Sequence, residues 1–268
     1  MKNIKVSVVI PMYNSQKTIK NTLDSVLNQT YQKNIEVLII NDGSSDDSRK
    51  IVEQYIKNNQ HSSIQFRLIN QENSGVSKAR NKGIKKAVGN WIALLDSDDV
   101  WLVEKLEKQM SLLKKYKEIK FLGTNRNGEV YPFFNKVKTI FYSLNAKNII
   151  WKWYPATPTA IVDKKILIEV GLYNENLKHG EDIDLWLRLI NITPLYILNE
   201  DLVYTGNGKR SYGVSGLSND LFKMHQGENL ALKGAKKRKQ INLFEYYGFY
   251  LWLLSKYIRR VVIIKIGS

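Results

Sequence analysis

Val37-Leu38-Ile39-Ile40-Asn41-Asp42-Gly43-Ser44-Ser45-Asp46 is the stretch that decides the fold. Its aliphatic run has no polar face, so a strand here must be covered on both sides. Asn41-Asp42-Gly43 then stops it with turn chemistry. From Asp46 to Ile56 the residues Ile51, Val52, Tyr55 and Ile56 fall on one face at helical spacing. A buried strand followed by an amphipathic helix is the repeating unit of an α/β sheet.

The unit recurs on both sides. Ile4 to Ile10 is a β-branched apolar run that Pro11 is expected to end, and Lys17 to Leu27 is helical in spacing. Gln65 to Ile69 reads as a third strand, Val76 to Val88 as a third helix, and Trp91 to Leu95 as a fourth strand ending at Asp96. Strands joined by single helices pair in parallel through right-handed crossovers. The expected fold class is α/β, a doubly wound, mostly parallel sheet whose ligands bind beyond the carboxyl ends of the strands.

After Val103 the pattern loosens. Glu104 to Lys115 and Glu181 to Ile190 read as helices, Ala160 to Val162 as a short strand, and Lys120 to Pro155 has no clear period. Gly206 to Ser218 reads as a Gly- and Ser-rich loop. Leu221 to Lys239 and Leu243 to Ile266 read as helices, a C-terminal helical extension of the sheet domain.

Of the 268 residues, 43% are hydrophobic and 25% charged, which suits a globular chain. With no cysteine, disulfides and Cys-based zinc sites are excluded. The formal net charge is +16, and the stretch from Gly206 to Ser268 holds 12 Lys/Arg against 3 Asp/Glu. Such a tail suits an anionic partner: a membrane surface, a nucleic acid or a phosphorylated substrate. The run Val6 to Ile10 is too short for a signal peptide, and no stretch reaches the roughly 18 apolar residues of a membrane span.

Acidic residues carry the chemical signal. Asp42 follows a buried strand, where a carboxylate can accept from a nucleobase or a ribose hydroxyl, or simply shape the turn. Asp96-Ser97-Asp98-Asp99 crowds three carboxylates at a strand end, a cost that a hard divalent cation relieves. The bland alternative is a solvated turn. Gly180-Glu181-Asp182-Ile183-Asp184 opens a helix, either to complement its dipole or to supply a general base. Arg80 is a candidate for a diphosphate or a solvated helix residue. His61, His179 and His225 are isolated and are assigned no role. Trp151, Trp153, Tyr154 and Pro155 either stack on acceptor sugars or pack the core.

Six segments together resemble the family 2 glycosyltransferases of the GT-A fold: Val8-Val9-Ile10-Pro11-Met12-Tyr13-Asn14, Ser25 to Thr30, Asn41 to Asp46, Asn73-Ser74-Gly75 with Ala79 to Gly83, Leu95 to Asp99, and Gly180 to Arg188. They run in family order over roughly residues 4 to 190. The resemblance implies a GT-A-like domain over 1–218, with a nucleotide-binding half at 1–100 and an acceptor-binding half at 101–218, then the extension at 219–268. It implies a nucleotide-sugar donor, expected to be a UDP-sugar, and inversion by single displacement. Asp42 would bind the uracil beside Pro11, Tyr13 and Asn14, and Asp96 would sit near the ribose. Asp98 would hold Mn²⁺ or Mg²⁺, and Asp182 would be the catalytic base with Glu181 beside it. The loop at Gly206 to Ser218 resembles one in members that build bacterial surface polysaccharides, with Lys209 and Arg210 as candidate phosphate contacts; where many members carry a His, this chain has Thr205-Gly206-Asn207.

The resemblance further implies a glycan acceptor, expected on a lipid carrier such as undecaprenyl. Leu243 to Ile266 mixes Phe, Tyr and Trp with Lys256, Arg259, Arg260 and Lys265, which suits an anionic membrane interface or, alternatively, a helix packed on the domain with a solvated basic face. The expected location is the cytoplasm, at the inner face of the cell membrane. Nucleic acid is not expected as a partner, because no nucleic-acid module accompanies the charge. The rival reading is a non-catalytic nucleotide-sugar- or lipid-binding module of the same fold.

Overall fold

The computed structural model describes residues 5–129, 141–152, 154–206 and 219–266. Strands β1 (Val6–Met12), β2 (Ile35–Asp42), β3 (Gln65–Gln71) and β4 (Trp91–Leu94) alternate with helices α1 (Ile19–Leu27), α2 (Ser48–Asn58) and α3 (Val76–Lys86). All pair in parallel, in the order β3-β2-β1-β4. Consecutive residues of β1 serve opposite faces: Val9 joins one core cluster with Leu38 and Ile40, while Val8 and Ile10 join the other with Ile39 and Leu23. That two-sided burial is why these strands read as unbroken apolar runs.

Pro11 does not end β1. The strand runs on to Met12, with Pro11 opposite Ile40. Pairing with β4 stops at Val9 opposite Leu94, so beyond that point β1 is an edge on that side and tolerates a residue without an N–H.

The second half makes the sheet mixed. The chain continues through β5 (Val100–Trp101), α4 (Lys105–Lys115), β6 (Phe121–Arg126), β7 (Phe141–Leu144), α5 (Ala146–Lys152), a 3-10 turn (Thr157–Thr159), β8 (Ile161–Asp163), α6 (Lys164–Glu169), α7 (Glu181–Leu189) and β9 (Leu195–Tyr204). β8 lies antiparallel between β4 and β6, and β9 runs parallel to β6. β6, β7 and β9 are elements the sequence pattern did not reveal.

Helices α8 (Leu221–Lys237) and α9 (Leu243–Ile266) close the chain. They are built into the domain rather than set apart from it. Ala231, Leu232, Ala235, Ile241 and Leu253 share one buried cluster with Phe121 and Trp186. At the α7–α8 contact, a β-carbon on Gly180 would lie 2.9 Å from the carbonyl carbon of Gly227, and Gly180 also has φ of 71°. Only glycine meets both conditions. Among the described residues no helix is long and apolar enough to cross a membrane.

Candidate active site

A cleft of about 580 Å³ opens beyond the carboxyl ends of the parallel strands. Pro11, Tyr13, Asp42, Arg80, Asp96 and Asp98 line it from the first half of the chain, and Glu181 and Asp182 from the first turn of α7.

Asp42 is nearly buried and already an acceptor. Its Oδ1 takes hydrogen bonds from Gln71 Nε2 at 2.7 Å and Ser74 N at 2.9 Å, and its Oδ2 from Gly75 N at 2.9 Å. It thereby folds the loop after β3 against the end of β2, leaving acceptor capacity on Oδ2. Tyr13 is half exposed beside it. Asn14 does not line the cleft. Its Oδ1 accepts from Ser45 N at 2.9 Å and its N–H donates to Ser44 Oγ at 3.1 Å, so it ties the β1 loop to the β2 loop.

The turn after β4 is pinned from α1 and the loop before it. Ser15 and Ser97 hydroxyls meet at 2.7 Å, Thr18 Oγ1 donates to the Ser97 carbonyl at 2.8 Å, and Thr22 Oγ1 to the Asp99 carbonyl at 2.9 Å.

Arg80 is not a free cation awaiting a phosphate. It is buried, with NH2 donating to Asp96 at 2.7 Å and NH1 to Glu181 at 2.9 Å. It clamps a carboxylate of the β4 turn to one of α7. Burial pushes the Glu181 carboxyl up to about 7, Asp182 adds to the rise, and Arg80 opposes it. Asp182 is also raised, first by burial, with Arg80 opposing and Asp96 adding. Glu181 is the more buried and is held by Arg80; Asp182 is partly exposed, and its Oδ2 accepts a long 3.4 Å bond from Thr157 Oγ1. Asp182 is therefore the carboxylate of the pair more open to an incoming hydroxyl.

No group of three His, Asp or Glu that could hold a metal occurs among the described residues. The turn nevertheless fits a divalent cation that arrives with a diphosphate, for which one or two carboxylates suffice. Asp98 is exposed to the cleft. Burial, then the charges of Asp96 and Asp98, push the Asp99 carboxyl up to about 8, against a bond from Gly206 N.

Lys209 and Arg210 lie outside the described residues, as does Trp153. Trp151 stacks on Trp252 with ring centroids 4.5 Å apart, Tyr154 is buried, and neither they nor Pro155 line the cleft. Their role is packing. His179 lines the cleft, with burial lowering its pKa. Arg126, Lys152, Thr157, Glu228, Lys256 and Arg260 also line it, and sequence reasoning assigned them no such place. The one available signal was a pair of cations at i and i+4 in the apolar α9.

Residues 7–171 match the family model described as Glycosyl transferase family 2. An uncharacterized glycosyltransferase of Rickettsia bellii is 33% identical over 75% of this chain, and the chain spans only 29% of that relative's length. The Escherichia coli protein WfgD, a UDP-Glc:alpha-D-GlcNAc-diphosphoundecaprenol beta-1,3-glucosyltransferase, is 32% identical over 83% of this chain and 83% of its own. The mannosyltransferase PcManGT of Pyrobaculum calidifontis, solved with GDP-Man and Mn²⁺, superposes with a TM-score of 0.73 at 16% identity, over 98% of this chain and 76% of that one. That likeness shows the GT-A fold.

Proposed function

The chain belongs to glycosyl transferase family 2, and from that membership and the cleft we propose that it transfers a sugar, with inversion, from a UDP-sugar to a hydroxyl of a glycan acceptor. The observation that carries the reading is that Asp42, Asp98 and Asp182 line one cleft. Tyr13 offers a face for the uracil, Asp42 an acceptor for its N–H, and Asp96 an acceptor near the ribose. Asp98 would hold Mn²⁺ or Mg²⁺, which when bound supplies Lewis-acid stabilisation of charge on the departing diphosphate. Asp182 takes the proton of the attacking hydroxyl as the new glycosidic bond forms and the bond to the nucleoside diphosphate breaks. Arg80, through Glu181, ties down the turn of α7 that carries that base, and Thr157 and the Ile183 N–H donate to it. No covalent intermediate is needed; positioning supplies the rest.

The acceptor is lipid-linked and the setting is bacterial surface-polysaccharide synthesis at the inner face of the cell membrane. WfgD's own name, with its diphosphoundecaprenol acceptor, supports this. So does the outer side of α9, which exposes Phe244, Tyr247, Leu251, Ile258 and Val262 at helical spacing among cations, as an interfacial helix does.

The test is a thermal-shift panel of UDP-sugars with Mn²⁺, followed by UDP release with a lipid-linked glycan. A donor at 100 times its Kd should stabilise the fold by about 2.7 kcal/mol. No shift with any nucleotide-sugar would sink the reading. Donor binding without acceptor-dependent release would favour a non-catalytic module.

A further inference from the structure

Besides its carboxylates, the cleft is lined by Lys152 of α5 and by Lys256 and Arg260 of α9. Lys256 and Arg260 stand one turn apart on the side of α9 turned inward, the side that also carries Leu253 into the core. Glu228 of α8 accepts from Arg260 at 2.9 Å and faces the same cleft. Burial lowers Lys256 to about 8, with Glu228 opposing and Arg260 adding to the fall. An anion placed beside it would favour its charged form and raise that value again. The opposite side of the same helix is the exposed apolar stripe of Phe244, Tyr247, Leu251, Ile258 and Val262. One element therefore offers cations to the cleft and an apolar surface to the outside, the two chemistries of a phosphorylated lipid.

We infer that Lys256 and Arg260, with Lys152, form a subsite for the diphosphate of a lipid-linked acceptor, distinct from the donor's place beside Asp98. The inference rests on the glycosyltransferase reading. It assigns the acceptor anion to α9 because that helix reaches from the cleft on its inner side to the exposed apolar stripe on its outer side, whereas the donor carboxylates stand on the ends of β2 and β4.

The probe is farnesyl diphosphate, titrated calorimetrically into the full chain with UDP and Mg²⁺ saturating. It should bind with UDP in place, and farnesol and inorganic pyrophosphate should each bind more weakly. Lys256→Gln should weaken farnesyl diphosphate at least about tenfold, the loss expected for one charge-assisted contact. Lys256→Arg should retain it, and UDP affinity should stay unchanged in both. Arg260→Gln, checked by its melting curve, should repeat the loss. Competition between UDP and farnesyl diphosphate for one place, or binding indifferent to Lys256→Gln, overturns the subsite alone. Failure of UDP itself to bind sinks the glycosyltransferase reading and the subsite with it.

Discussion

Arg80 NH1 donates to Glu181 at 2.9 Å, joining residues 101 positions apart in the chain. The same guanidinium holds Asp96, so the end of the parallel sheet and the first turn of α7 share one buried cation. Substituting Arg80 by Met leaves those carboxylates uncompensated. Breaking a buried pair costs about 3–5 kcal/mol, and in a chain of this size a melting temperature lower by roughly 10 °C is expected. A melting curve unchanged from the parent protein would show that the clamp contributes nothing.

Asp182→Asn should lower turnover by roughly 10²–10⁴, the usual contribution of a positioned general base. UDP affinity, read by calorimetry, should be retained. A parallel fall in UDP affinity would move Asp182 from base to donor contact.

The acid limb of activity follows from the same pair. Burial raises both Glu181 and Asp182, so the base gains its proton at a higher pH than an ordinary carboxylate. kcat/KM should fall with pH at a point above the ordinary carboxylate range, and the apparent value belongs to the pair rather than to either residue. Stability moves the other way. The folded state holds the Glu181 proton more tightly than the unfolded chain does, so ν for the folded state is larger between about pH 4.5 and 7 and stability declines as pH rises through that window. Glu181→Gln should flatten that decline in a pH series of melting curves.

Excess EDTA should abolish transfer, and Mn²⁺ or Mg²⁺ should restore it. Asp98→Asn should raise the metal concentration giving half-maximal rate. Full activity in chelator would remove the cation from the scheme.

The parallel half was legible because each strand is covered on both faces, which leaves runs such as Val37 to Ile40 with no polar interruption. β6 was not, since Phe121 and Leu122 give way at once to Gly123-Thr124-Asn125-Arg126. β9 carries Asn199-Glu200-Asp201 through its middle, and its register against β6 shifts beyond Thr124. Carboxylates at strand ends announced themselves because crowded negative charge is costly without a ligand. Arg80 was ambiguous, since no local spacing tells a cation which distant carboxylate it will meet. Lys256 and Arg260 were hidden because α9 is apolar on its inner and outer sides alike, so periodicity could not say which side faces the domain.

The glycine-to-glycine contact between Gly180 and Gly227 bears on the order in which the protein becomes competent. The turn that bears Asp182 rests on a helix made some forty residues later. A nascent chain emerging from the ribosome makes its parallel strands early, yet the turn bearing Asp182 gains its backing only once α8 has been synthesised and docked.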